Sequence, residues 1–448
     1  MRRATLILLF VFFALISSAS AQGYRGKDFW ICFPQNAIQE QGRILQHSLF
    51  LTAESRTTGS VQNMMDSSWT HFSIEAGASI SIPLDTALQI TSSGQIEKKS
   101  FHVISDKDVT IYAATHRPAT TDSYSAIPTE FLGKSYTVVG YDPLLSAGEG
   151  FTTQADIVAT EDNTLVTMKL TAGTTDGLPK GRTLSMALNR GQTLQIKSTR
   201  EPGQSNDLTG TTVTSSKPIA FFTGHSCAQV PSDMSYCDIL LEMETPANDW
   251  GKEFILPKFS GKDYYVARVV ADSDATDVTI NGQIVAHLKS GEYFEAKHLD
   301  DDAVIHTSKP ALVAQYGTSA SADSIKVGDP FMLLAIPSDR FITEVTTTSV
   351  TNTGFYHYLN IVVPDTGMES LMIDGALAAV IDPSKFVTRL SKHKVPGSRF
   401  TVLEYKVGEG RHLIRCAVPI GVYSYGFGVT DAANYDSYGH ACGQRLDK

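Results

Sequence analysis

Residues 224–227, Gly-His-Ser-Cys, set three side-chain types used in nucleophilic catalysis next to one another. Acyl-transfer chemistry needs a Ser or Cys nucleophile, a base across space and a third group that orients the base. The run around them, IAFFTGHSCA, is rich in the residues that favour strands. Neighbours on a strand point to opposite faces, so His225 and Ser226 do not face each other. Cys227 reads more economically as half of a disulfide. No catalytic role is assigned here, and the chain carries no G-x-S-x-G elbow, H-E-x-x-H, P-loop or G-x-G-x-x-G.

Carboxylates offer a second chemistry. Asp233 with Asp238, or Glu242 with Glu244, could supply the acid and the nucleophile of a glycosidase. With 47 acidic residues such pairs arise by chance, so the spacing supports no assignment. Asp272, Asp274 and Asp277, or Asp300-Asp301-Asp302, could offer oxygens to Ca²⁺. Solvated hairpin turns are the preferred reading. His225 and Cys227 are too few for a soft-metal site. No metal and no cofactor is expected.

The five cysteines stand at 32, 227, 237, 416 and 442. Local pairing predicts bridges Cys227–Cys237, around CAQVPSDMSYC, and Cys416–Cys442, around a Tyr/Gly-rich segment, with Cys32 reduced inside FWICF. Tyr423, Tyr425, Phe427, Tyr435 and Tyr438 crowd that last segment. They are read as a strand closing the final unit rather than as a binding loop.

The elements that must position these residues are strands in a repeated order. An apolar strand, a turn and a Thr-led strand recur with Ala53, Ala159, Ala271 and Val363 in register, at steps of 106, 112 and 92 residues. A glycine precedes an extended run at Gly77, Gly191, Gly291 and Gly408. A strand entered through a Lys-Asp or Lys-Pro corner follows. Then comes an exit in which Pro128, Pro246 and Pro337 stand four residues before Leu132, Trp250 and Phe341. Turn residues every 8–12 positions and many Val, Ile, Thr, Tyr and Phe predict an all-β fold. The organisation expected is four tandem β-sandwich-like units of roughly 90–118 residues: 26–132, 133–250, 251–340 and 341–428, with a C-terminal cap at 429–448. A β-propeller-like arrangement is the alternative. Pro218, Pro310 and Pro419 are expected at strand starts or edges. The units follow without flexible linkers, and Leu132, Trp250 and Phe341 are expected as architectural junction residues forming one rigid rod or ring.

Residues 1–21 read as a secretory signal peptide: Arg2 and Arg3, an apolar TLILLFVFFALI, then Ala19-Ser20-Ala21. The apolar run is too short to span about 30 Å of hydrocarbon, and no later segment is apolar enough to cross. A net charge of −10 argues against nucleic acid. Secretion or display on the cell surface is expected.

The stretch SSKPIAFFTGHSCAQVP…CDILLEMETPANDWGKEFILP resembles the IgG Fc-binding protein family, in its N-terminal domain. Lys217, Pro218, Cys227, Val230, Pro231, Cys237, Asp238, Trp250, Gly251, Lys252 and Phe254 carry the likeness, and it extends over nearly the whole chain after the signal. The chain looks like a stand-alone bacterial copy. The resemblance implies a binding or adhesion protein with no catalytic residues to carry over, and an extracellular protein or glycan as partner. Immunoglobulin binding follows only by analogy. The alternatives are a carbohydrate-active enzyme on a β scaffold, or a structural envelope or matrix component.

Overall fold

The structure is a computed structural model describing residues 23–37, 44–144, 151–200, 206–351, 354–378, 390–431 and 434–447. The expected signal peptide, 1–21, lies outside the described residues. Among the described residues the chain is built of strands and short 3-10 turns, and no helix is long and apolar enough to cross a membrane.

The first unit comprises β1 (Gly26–Ile31), β2 (Gln46–Ala53), β3 (Thr57–Asn63), β4 (Trp69–Ile74), β5 (Ala78–Leu84), β6 (Ile96–Glu97), β7 (Phe101–Arg117) and β8 (Thr120–Ser125). The second has β9 (Ser135–Thr137), β10 (Thr153–Ala159), β11 (Thr164–Lys169), β12 (Thr183–Leu188), β13 (Thr193–Lys197), β14 (Thr212–Ser215), β15 (Ile219–Ala228) and β16 (Asp238–Met243). The third has β17 (Gly251–Leu256), β18 (Tyr265–Ala271), β19 (Thr276–Ile280), β20 (Gln283–Leu288), β21 (Tyr293–Leu299), β22 (Ala303–Gly317) and β23 (Phe331–Leu334). The fourth has β24 (Ile342–Thr348), β25 (Tyr356–Pro364), β26 (Met372–Ile373), β27 (Ala376–Leu377), β28 (Leu390–Lys394), β29 (Phe400–Val407), β30 (Arg411–Asp431) and β31 (Asn434–Ala441).

The pairings repeat. Unit one forms β4-β3-β7-β1 and β5-β2-β7-β8, the long β7 bending from one sheet into the other. Unit three forms β20-β19-β22-β17 and β21-β18-β22-β23. Unit four forms β27-β26-β30-β24 and β29-β25-β30-β31, with β28 added outside β29. Unit two has the same order, but the long strand is split into β14 and β15, and β6 of unit one extends its edge. Each unit is a two-sheet sandwich, not a single propeller blade.

The corner of the long strand explains the prolines. Pro310 falls between the residues of β22 that pair with β19, ending at Thr307, and those that pair with β18, starting at Ala311. Pro218 lies in the break between β14 and β15. No ladder N–H is lost at either place.

Two features differ from expectation. Gly77, Gly191 and Gly291 each have positive φ and donate a 2.8 Å hydrogen bond to the last residue of the neighbouring strand, Ala53, Ala159 and Ala271. Gly408 is not their counterpart; it lies between β29 and β30, and Gly397, at φ +69°, turns the chain into β29. The added β28 lengthens the fourth copy and displaces the motif. Residues 434–441, expected within a separate cap, are the last strand of unit four, paired along β30.

The units close into a ring. Tyr124 and Ile127 share an apolar cluster with Phe222, Leu241 and Met243. Val139, Leu240 and Trp250 join Val266, Leu312 and Met332. Phe259 and Phe331 join Tyr423, Tyr425 and Phe427. Phe50 and Tyr112 of unit one join Val350, Phe355 and Tyr438 of unit four. The final strands β8, β16, β23 and β31 pack on one another in cyclic order, so they surround the ring axis.

Candidate functional site at the ring axis

The strands at the axis carry carboxylates where a core would normally be apolar. Asp122, on β8, is fully buried. Its Oδ1 accepts from the N–H groups of Ser123 (2.9 Å) and Gly439 (3.1 Å), its Oδ2 from those of Leu241 (2.9 Å) and Met332 (3.3 Å). One side chain thus engages backbone from the other three units. Three residues before Leu241, Met332 and Gly439 stand Asp238, Asp329 and Asp436, all buried. Asp436 accepts from Thr121 Oγ1 and its own neighbour Ser437 N–H, both at 3.0 Å. Asp238 accepts from Ile239 N–H at 2.7 Å, and Asp329 from Ala320 N–H at 3.3 Å.

Burial dominates the electrostatics. It pushes Asp122 well above the usual carboxylate range, although the backbone donors pull the other way. Asp238 and Asp436 are raised by burial and then by the neighbouring aspartates. Asp329 is pushed up to about 7 by burial, with the Lys262 ammonium restraining the rise. Like charges this close in a dry site favour holding protons.

Beside this cluster the loop before β16, the loop before β23 and the start of β31 come together at one surface, the mouth. The bridge Cys227–Cys237 closes the loop that carries Tyr236. Tyr236 adopts φ +75°, a left-handed conformation costly for an aromatic residue. Its ring is 39% exposed and meets Tyr435 edge to face at 5.1 Å between centroids. Lys326 Nζ, from unit three, lies 5.8 Å from the Tyr236 ring centre, and Ile325 beside it is 71% exposed. Ser235 N–H donates to Ser321 Oγ (2.7 Å) and Val230 N–H to Ser319 Oγ (2.9 Å), tying the loops of units two and three together. The loop before β16, the loop before β23 and Tyr435 of β31 therefore bring two tyrosine rings and an ammonium group together.

Of the residues singled out from sequence, Asp238, Cys227, Cys237 and Tyr435 lie at or beside this site, and the others fall elsewhere. His225, Ser226 and Cys227 are buried on β15. His225 Nδ1 accepts from the Cys227 N–H (3.1 Å), and burial pushes its imidazole down to about 3. Ser226 Oγ accepts from Thr152 N–H (3.2 Å). Glu242 and Glu244 are buried acceptors for Leu334 and Val139 N–H. Asp274 accepts from Ser290 N–H and Asp277 pairs with His287, as hairpin residues do. Asp302 accepts from Lys258 N–H and pairs with His393. Among the described residues no three His, Cys, Asp or Glu side chains gather as metal ligands.

Cys416 and Cys442 are separate buried thiols, which corrects the expected bridge; Cys32 is a free buried thiol as well. Cys442 N–H bonds to Val422 O, six residues along β30 from Cys416. At about 3.3 Å per residue that is up to roughly 20 Å, far beyond disulfide reach. Cys416 Sγ instead faces Gly367 O, and Cys442 Sγ faces Thr347 Oγ1. Tyr423, Tyr425, Phe427 and Tyr438 are core residues, and only Tyr435 of that group reaches the mouth. Leu132, Trp250 and Phe341 are buried; Trp250 Nε1 donates to Thr245 O at 3.2 Å, and Phe341 lies edge-on to Phe400 at 5.9 Å.

Of the axial aspartates, sequence reasoning named Asp238 alone, as a possible glycosidase carboxylate and in the family likeness, and passed over Asp122, Asp329 and Asp436. Their signal was present: CDIL, GDPF and YDSY each put an Asp at or just before the last strand of a repeat.

A model of the family described as IgGFc binding protein matches residues 122–426. The human (Homo sapiens) IgGFc-binding protein is 24% identical over 393 residues, which are 86% of this chain and 7% of that protein. The chain thus spans a small fraction of that relative's length. Among solved structures, one titled for host cell surface retention of a bacterial ice-binding adhesin is 10% identical. It covers 68% of this chain and 93% of that one, with a TM-score of 0.12. A tetra-tandem repeat from the extending region of a large adhesion protein is also 10% identical, covers 96% of each chain and has a TM-score of 0.09. Neither carries an argument about the fold. The extent of the family match leaves one assignment: this chain belongs to the IgGFc-binding protein family.

Proposed function

We propose that the chain is a non-catalytic binding protein that acts outside the cell and recognises a protein partner through the axial mouth. The observation that carries this reading is the convergence of Tyr236, Tyr435 and Lys326, from three different units. Aromatic side chains held on rigid loops contribute large contact area at low entropic cost, as binding surfaces require. A strained Tyr236 locked beside a disulfide suits a preorganised contact. The bridge itself suits an oxidising compartment. The family's name makes immunoglobulin Fc the first partner to try, and a glycan is the second reading.

The test is surface plasmon resonance with the chain lacking residues 1–21, over immobilised Fc and over a glycan array. Replacing both Tyr236 and Tyr435 by Ala should weaken binding at least about tenfold, with the melting temperature preserved. Undiminished binding by that variant would remove the mouth as the recognition surface.

A further inference from the structure

Lys262 and Asp323 are both completely buried. Lys262 lies between β17 and β18, and Asp323 between β22 and β23. Lys262 Nζ stands 3.0 Å from Asp323 Oδ2, and it also donates to Thr318 O and Gly328 O, both at 2.7 Å. Two of the three ammonium N–H bonds are thus held by carbonyl groups. If the third proton moves to the carboxylate, the nitrogen lone pair is freed beside Asp323. The 3.0 Å separation is to Oδ2, and Nζ must turn off that hydrogen bond to reach Cγ, one bond further on. Asp323 Oδ1 accepts from Asp263 N–H at 3.0 Å and from Thr318 Oγ1 at 3.2 Å. Those donors stand where negative charge would develop as the carboxyl carbon becomes tetrahedral.

We propose that Lys262 and Asp323 condense into an intramolecular isopeptide bond. A bond forms between Nζ and Asp323 Cγ, and the bond from Cγ to Oδ2 breaks. The nitrogen gives up two protons, and the departing oxygen takes them and leaves as water. Ammonium plus carboxylate becomes amide plus water, so no oxidant, reductant or further reactant is needed. The step removes two opposite charges from a site where each is expensive to desolvate. Burial acts in the same direction on the amine, lowering its proton affinity. Asp329 follows Gly328, whose carbonyl holds Nζ, and the Lys262 charge acts on its carboxyl. The cross-link would pin the loop before β23, which bears Ile325 and Lys326, to the loop before β18, beneath the mouth.

Trypsin digestion of the intact chain followed by mass spectrometry decides the matter. An unlinked chain yields Phe259–Lys262 and Asp263–Arg268 as separate peptides, because the Lys262 amine is free. The cross-linked chain yields residues 259–268 uncut and joined to residues 298–326, with a mass about 18 Da below the sum of the two, one water. Recovery of the separate peptides with no joined species overturns the proposal. Lys262→Arg, which keeps the charge, should give no joined species, and its appearance there would show that the link does not involve this amine.

Discussion

Two regions of this ring bury charge, and they do it in opposite ways. At the boundary of units two and three, Arg268 is enclosed by acceptors: Asp207 Oδ2 at 2.5 Å, Glu295 Oε2 at 2.7 Å, Asp142 Oδ1 at 3.2 Å and Gly140 O at 2.9 Å. The rings of Tyr141 and Tyr293 lie 4.3 and 4.7 Å from its guanidinium carbon. Burial acts to raise Asp207, but the Arg268 charge and the Thr209 donors outweigh it and hold the carboxyl below its ordinary value. At the axis the carboxyl groups have backbone N–H donors, one another and Lys262, and they are raised instead. A guanidinium keeps its buried partner charged, whereas backbone donors alone do not overcome burial. The first region is an ion cluster, and in the second burial opposes ionisation.

Removing the group each region depends on should give the largest effects. Asp122→Ala leaves the N–H groups of Leu241, Met332 and Gly439 without an acceptor in three units at once. At roughly 1–3 kcal/mol per buried orphaned donor, the loss should reach about 5 kcal/mol in a denaturant titration. A loss under about 1 kcal/mol would mean that the axis is hydrated. Arg268→Ala strands Asp207 in the interior and should cost about 3–5 kcal/mol. If the two regions differ as described, adding Asp207→Ala should recover part of that loss, and no recovery would contradict the ion-cluster reading.

Trp250→Ala tests the joint between the two regions. A buried aromatic cut to Ala should cost about 3–5 kcal/mol and open the chain to proteolysis between units two and three. Unchanged melting with loss of partner binding would make Trp250 a contact residue instead.

The sign of the pH response sharpens the contrast. Asp329 rises from an ordinary value near 3.8 to about 7. A carboxyl raised on folding stabilises fully below its unfolded value, and that contribution is lost as pH climbs through about 7. Asp207, which is lowered, stabilises above its unfolded value and loses its contribution as pH falls through the folded one. The stabilisation lost in Asp329→Asn relative to the unaltered chain should therefore shrink between about pH 4 and pH 7. A difference in melting temperature that stays constant over that interval would refute the raised Asp329 carboxyl. The smallest effect is expected at the rim. Cys227→Ser with Cys237→Ser opens a ten-residue loop and should cost about 2–3 kcal/mol by loop entropy.

Much of the fold was legible because it is local. The hydrogen bonds from Gly77, Gly191 and Gly291 recur because each closes a turn a few residues long. Cys227 and Cys237 are ten residues apart, within reach of one loop. Cys416 lies on β30 and Cys442 just after β31, and the register that pairs Tyr423 with Ala441 decides which residues face each other. Gly408 misled because the fourth copy inserts β28, which a motif search cannot weigh.

From its sequence alone this protein is all-β, repeated four times and punctuated by turns, because alternation and turn chemistry act over a few residues. The tertiary structure decided that the units close into a ring, and that Asp122 meets Gly439 across 317 positions of chain. It also decided that Tyr236 and Tyr435 share a face and that Lys262 faces Asp323. Those outcomes depend on which face of each final strand turns to its neighbours. That choice is set by burial summed over four units, and no short stretch of residues encodes it.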